Sequence, residues 1–226
     1  MTNINMKKQF STQSISDHYR SLWERHGDST HAVQYSDDQS HHARFDILCS
    51  IASPVTSILD VGCGLAHLYR YLKLNGFNGQ YKGIDIVPEF VEAAKTHCKD
   101  DPNADVMLCN STDKLPSGYD YAMLSGVFNN RMPDNKAFMK ATLRRMFSVA
   151  EKGIAFNAMS TFVDYEDNTL YYSDPLEVLA FCKTVLGGHP ILRHDYTLTE
   201  NGFPFEYAIY VYKEPNFKTS CLGYGH

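Results

Sequence analysis

From Ser57 onward, short apolar runs alternate with stretches whose apolar residues recur every three or four positions. The runs SILDV (57–61), QYKGIDI (80–86), DVMLC (105–109), DYAMLS (120–125) and GIAFNAM (153–159) read as five strands. Between them, Leu65, Leu68, Tyr69 and Leu72 share one helical face, which Gly76 closes. Val87, Val91, Ala94 and Cys98 form a second stripe, with Pro88 in its first turn. Met139, Leu143, Met146, Phe147 and Ala150 form a third. A further helix opens at SDPLE: Asp174 caps it, Pro175 fills the first turn, Glu177 reaches back to the cap, and Gly187-Gly188 ends it. Strands alternating with helices in this way build a mostly parallel sheet with helices on both faces.

The rhythm changes near the C-terminus. ILRHDYTL (191–198) and YAIYVYK (207–213) alternate strongly and are separated only by TENGFPFE. That pattern is a hairpin, so one of its strands runs antiparallel to the rest and the sheet has seven strands. Ahead of the first strand lie two helical patterns. Ile15, Tyr19, Leu22, Trp23 and His26 make one, stopped by Gly27; the other starts near Asp38 and carries Ile47, Leu48 and Ile51. Arg44 falls on the apolar stripe of that second helix. An inward guanidinium cannot lose its charge and needs an anion. A neighbouring carboxylate is one candidate and a ligand carboxylate the other.

Composition narrows the class. The chain has 226 residues, 43% hydrophobic, enough for one domain with a sizeable core. Its net charge of -5, with no basic run, argues against a nucleic-acid partner. The six cysteines include no C-x-x-C pair and read as reduced thiols of a cytoplasmic protein. No apolar stretch is long enough to span a membrane. Metal is not expected: His41 and His42 diverge on a helix, and His26 and His31 straddle a glycine break without cysteines nearby.

The string ILDVGCGLAHLY (58–69) is the most informative. A strand ends at Val61, the chain turns through Gly62-Cys63-Gly64, and a helix begins near Ala66. Glycines there permit a tight turn and close ligand approach to outward-facing N–H groups. Asp85, at the end of the next strand, is placed to accept both hydroxyls of a ribose. Asp60 precedes the turn, where it repels a pyrophosphate and suits an ammonium. S-adenosylmethionine carries both groups; a nicotinamide dinucleotide is the weaker alternative.

On these residues the chain resembles the class I S-adenosylmethionine-dependent methyltransferases. LDVGCGLA matches the D-x-G-x-G-x-G turn of that family, with Ala66 at the third glycine. GID (83–85) matches its ribose acid, LCNST (108–112) its adenine-edge segment, where Ser111 replaces the common Asp, and YDYAMLSGVFN (119–129) its fourth-strand motif. HGDS, FNAMSTFVDY and LRHDY resemble a small bacterial subfamily. The resemblance spans about residues 40–213 and implies a Rossmann-like seven-stranded α/β fold. It also implies a single domain: an N-terminal helical lid at 1–52, a core at 53–213 and a tail at 214–226. S-adenosyl-L-methionine would be the cofactor and S-adenosyl-L-homocysteine the product. Cofactor contacts are expected from Arg44, on the methionine carboxylate, and from Asp60, Gly62, Cys63, Gly64, Asp85, Ile86, Asn110, Ser111, Ser125, Gly126 and Phe128.

Methyl transfer from a sulfonium needs positioning more than acid–base chemistry. Substrate or base candidates are Tyr19, His26, Asp28 and Tyr35 on the lid, Asp164 and Tyr165 after the fifth strand, and His194 at the hairpin. No Pro-Pro-aromatic motif follows the fourth strand, which argues against methylation of base amino groups. The expected reaction is N- or O-methylation of a small polar metabolite, with a homodimer as the assembly to test. Methylation of tRNA or protein, and S-adenosylmethionine binding without catalysis, are the alternatives.

Overall fold

The computed structural model describes residues 12–34, 37–200 and 202–215. Tyr35, Cys221 and most of the expected tail lie outside the described residues. The strands are β1 (Ser57–Val61), β2 (Gln80–Asp85), β3 (Ala104–Leu108), β4 (Tyr119–Leu124), β5 (Ala150–Ser160), β6 (Tyr172–Ser173), β7 (His189–Arg193) and β8 (Glu206–Tyr212). The helices are α1 (Thr12–His26), α2 (Asp38–Cys49), α3 (His67–Leu74), α4 (Pro88–Cys98), α5 (Asn135–Val149) and α6 (Pro175–Thr184). A short 3-10 turn, Thr30–Val33, joins α1 to α2.

The sheet runs β3-β2-β1-β4-β5-β8-β7, and β6 adds to the end of β5. β8 is antiparallel to both β5 and β7, so β7 points the same way as the five parallel strands. Alternation on β1 splits the core into two layers. Ile58 packs with Phe45, Leu48, Leu68, Tyr69, Tyr81 and Val91 under α2, α3 and α4. Leu59 and Val61 pack with Leu143, Met146, Phe156, Phe181 and Ile209 under α5 and α6. Asp60 therefore shares the face of Ile58.

Local signals explain most boundaries. Asp37 caps α2 by accepting from Ser40 N, Asp134 caps α5, and Asp174 caps α6 ahead of Pro175. Glu177 does not reach back to that cap; its carboxylate pairs with Lys136 and Lys140 on α5 instead. Ala150 ends no helix: it opens β5, which begins directly after α5 and is longer than its apolar run suggests. The hairpin is displaced too. β7 begins at His189 and stops at Arg193, so His194, Asp195 and Tyr196 lie in the loop that follows. The two-residue β6 is too short to leave a periodic trace.

The two N-terminal helices behave differently. α1 lies against α4, where Tyr19 and Trp23 meet the Phe90 ring edge-on and Arg20 pairs with Glu89 at 2.7 Å. α2 is not a lid. Phe45, Leu48 and Ile51 are core residues, and the Tyr210 and Tyr212 hydroxyls of β8 donate to the Ile47 and Ile51 carbonyls. It is a layer helix of the sheet, and the roof consists of α1 and the 3-10 turn.

Candidate functional site

A cavity of about 120 Å3 opens at the carboxyl ends of β1, β2, β3 and β4, under α1. The glycine turn forms its floor. Gly62 and Gly64 have φ of 75° and 54°, and Ala66 holds φ 58°, ψ 38°, also left-handed. The alanine that departs from the glycine pattern thus keeps the glycine conformation, at a cost of about 1–2 kcal/mol. A Cβ at Gly62 would stand 2.3 Å from Val127 Cγ2, and one at Gly64 would stand 2.9 Å from Val33 Cγ1. Glycine is favoured at both positions by the backbone angle, and a side chain there would also have to push a valine methyl aside.

Two buried acids face this floor. Asp85 accepts from Gly64 N at 2.8 Å and from Val87 N at 2.9 Å, which locks the turn to the end of β2. Burial raises its pKa, against the backbone hydrogen bonds that lower it. Asp60 accepts from the Tyr81 hydroxyl at 2.7 Å. Burial, with Asp85 adding to it and Tyr81 opposing, raises the Asp60 carboxyl to about 7. Among the described lining residues there is no Lys or Arg. Two carboxylates and no fixed cation fit a ligand with positive groups and a ribose. They do not fit a pyrophosphate.

Cys63, Ile86, Asn110, Ser111, Ser125 and Gly126 also line the cleft. Two of these are committed through their side chains. Asn110 Oδ1 accepts from the Thr112 N–H and hydroxyl, and the Ser111 hydroxyl lies 3.3 Å from that of Thr142 on α5. The backbone of this segment, together with the Ile86 side chain, is what remains for a base. Phe128 is not a wall residue. The left-handed Gly126 turns the chain so that Val127 leans on the glycine turn, and Phe128 packs inward against Phe138 and Phe156. Val127 and Phe138 take its place on the wall.

Arg44 does not face the cleft. It is buried, and its Nη2 lies 2.7 Å from Glu206 Oε1 while Nε reaches both carboxylate oxygens. Asn157 Nδ2 donates to the same carboxylate, and Asn157 Oδ1 accepts from Gly126 N at 2.8 Å. The guanidinium thus found its anion on β8, a residue too distant in sequence to foresee. The pair joins α2 to β5, β8 and the loop after β4.

Of the substrate candidates among the described residues, Tyr19 alone lines the cleft, where Asn130 Nδ2 donates to its hydroxyl at 2.7 Å. His26 is exposed beyond it, its ring 5.9 Å from that of His31. Asp28 is exposed and ties the roof down through His97 at 2.9 Å and Arg70 at 3.8 Å. Asp164 and Tyr165 are exposed on the loop after β5, outside the cleft. His194 packs on Phe162, also outside it, because β7 ends one residue earlier. The lining residues not anticipated include His41, Phe45 and His67. A signal existed: His41 and Phe45 fall on the stripe of Arg44 and Leu48, and His67 directly follows the glycine turn.

Residues 52–184 match the family model described as a methyltransferase domain. A putative methyltransferase of Mycobacterium tuberculosis is 35% identical over 150 residues, covering 64% of this chain and 89% of that protein. The magnesium protoporphyrin IX methyltransferase of Synechocystis PCC 6803, solved with S-adenosylhomocysteine, is similar in fold. Its TM-score is 0.66 at 15% identity, over 90% of this chain and 100% of that one. The mitomycin 7-O-methyltransferase MmcR gives a TM-score of 0.64 at 12% identity, over 91% of this chain and 61% of that one.

Proposed function

Because the chain belongs to the methyltransferase-domain family and is a class I S-adenosylmethionine-dependent methyltransferase, we propose that it methylates a nitrogen or oxygen of a small molecule. The observation that supports this acceptor class is the roof. α1 covers the cleft, with Tyr19 bonded to Asn130 and Arg20 to Glu89, and a site roofed in this way suits a small acceptor better than a polymer. The walls are largely apolar: Ile15, Val33, Phe45, Phe90, Val127 and Phe138. An acceptor with an apolar body and one polar nucleophile matches them. Two of the structural relatives are, by name, methyltransferases of a porphyrin and of mitomycin.

When bound, S-adenosylmethionine supplies a methyl group already activated on sulfur. The chain contributes placement. Asp85 would hold the ribose hydroxyls, Asp60 would face the ammonium, and the backbone at 110–111 with Ile86 would hold the base. The roof excludes water and fixes the acceptor in line, which is where a displacement of this kind gains most of its rate. Tyr19 is the residue placed to contact the acceptor or take its proton.

The test is release of S-adenosylhomocysteine with three separate pools: small metabolites, bulk RNA and unfolded protein. Small molecules are first ranked by their thermal shift with S-adenosylhomocysteine present. Turnover with a small molecule, lowered at least tenfold in Tyr19→Phe, is the expected result. Turnover confined to RNA or protein overturns the acceptor class. Binding without turnover in every pool supports a non-catalytic binder.

A further inference from the structure

Ser125, Gly126 and Val127 form the cleft wall directly after β4. The β4–β5 ladder ends at Leu124 and Phe156, so the Gly126 N–H lies beyond it. It donates instead to a side chain, Asn157 Oδ1 on β5, at 2.8 Å. Gly126 holds φ 72°, and the turn it makes sets Val127 against the glycine turn, where a Cβ at Gly62 would stand 2.3 Å from Val127 Cγ2. The position of Gly126 therefore fixes how far the wall stands from the floor.

Asn157 is 1% exposed, as is Glu206, whose Oε2 accepts from Asn157 Nδ2 at 3.2 Å. Glu206 is held in turn by Arg44. A carboxamide has one accepting and one donating end, whereas a carboxylate only accepts and a backbone N–H only donates. One orientation of the amide therefore satisfies both neighbours, and burial makes that orientation costly to leave. We propose that Asn157 is a positioning residue of the cofactor site. Its carboxamide, oriented by Glu206, holds Gly126 and through it the Ser125–Val127 wall against the glycine turn. Asn157 itself does not line the cleft and acts through the backbone it holds. Leucine at this position would nearly match its volume but leave the Gly126 N–H without an acceptor. Aspartate would keep that acceptor but set a second carboxylate against Glu206.

This role rests on S-adenosylmethionine being the cofactor, and its test separates the two ideas. Full-length wild type, Asn157→Leu, Asn157→Ser and the double variant Asn157→Asp with Glu206→Gln are titrated by calorimetry with S-adenosylhomocysteine. Each is measured well below its own melting temperature. Asn157→Leu and Asn157→Ser should bind roughly 5- to 30-fold more weakly than wild type. The double variant exchanges the two groups: the carboxylate now accepts from Gly126 and from the glutamine amide, and the net charge beside Arg44 is kept. It should recover affinity to within about threefold. A purely structural Asn157 would lower stability alone, so wild-type affinity in either single variant overturns the role, whatever its melting temperature. If Asn157→Leu does not fold, Asn157→Ser carries the decision. A double variant as weak as the single ones overturns the role too, because restoring the hydrogen bonds restored nothing. Wild type that does not bind S-adenosylhomocysteine overturns the cofactor reading, and the role of Asn157 with it.

Discussion

Asp60 is where pH should act. Its carboxyl rises from an ordinary 3.8 to about 7, chiefly because it is buried on the β1 face that Ile58 also occupies. A folded pKa above the unfolded one means that the native state holds the proton more tightly. The stability this confers is fully present below 3.8 and is lost as pH rises through about 7. Asp60→Asn removes that part of the pH dependence, so the variant should melt higher than wild type above pH 7 and show a flatter profile below it. An ammonium beside Asp60 favours the ionised acid, so S-adenosylhomocysteine should bind wild type more tightly as pH approaches 7, with proton release. Calorimetry across that range should show the rise in wild type and none in Asp60→Asn; a flat wild-type profile would discard the ammonium contact. Gly62 is a second decisive position. Alanine there must adopt φ 75° and displace the Val127 side chain, which should cost about 1–3 kcal/mol and abolish detectable S-adenosylhomocysteine binding. A Gly62→Ala protein with wild-type affinity would remove the turn from the site.

At the scale of elements, α2 is the one that sequence reading placed least well. The resemblance placed it in a lid, and Arg44 on its stripe was read as an inward charge answered by a neighbouring carboxylate or by the cofactor's carboxylate. Phe45, Leu48 and Ile51 are nonetheless all buried, and the charge is answered from β8. Breaking such a buried pair from one side leaves an uncompensated ion, worth about 3–5 kcal/mol. Arg44→Met should therefore lower the melting temperature by roughly 6–20 °C in a chain of this size. Arg44→Met with Glu206→Met should recover most of that loss and keep S-adenosylhomocysteine affinity within a few-fold. A double variant that melts normally yet no longer binds would return Arg44 to the cofactor. The contrast with β1, β2 and the glycine turn is instructive. Those elements are dictated by residues close in sequence: apolar runs, an αL turn and an acid at the next strand end. The Arg44–Glu206 pair and the entry of His41 into the cleft depend on pairing between α2, β5 and β8, which leaves no local trace. The hairpin misled for a related reason. RHDY alternates as a strand does, but β7 stops pairing at Arg193–Ala208, and Tyr207 and Glu206 of β8 pair with β5 alone.

For the whole molecule, the sheet supplies a rigid floor and α1 a roof held mainly from one side. The roof contacts α4 through aromatic edges, and its polar ties to the body include Tyr19–Asn130, Arg20–Glu89 and Asp28–His97. Ligand must enter and leave past it, so the ties belong to the release step rather than to the stability of the sheet. Arg20 and Glu89 remain about a third exposed, which makes that pair a weak one. The Tyr19 hydroxyl bond is partly buried and counts for more. Together their loss amounts to about 1–2 kcal/mol, a factor of roughly 5–30. Tyr19→Phe with Arg20→Ala should therefore release S-adenosylhomocysteine about 5- to 30-fold faster in stopped-flow displacement. The association rate should change much less, because those ties form only when the roof is down. The sheet does not depend on them, so the melting temperature without ligand should fall by only a few degrees. Unchanged release with a large loss of stability would make α1 a structural helix. Release accelerated without such a loss would identify the N-terminal helix as the gate through which product leaves.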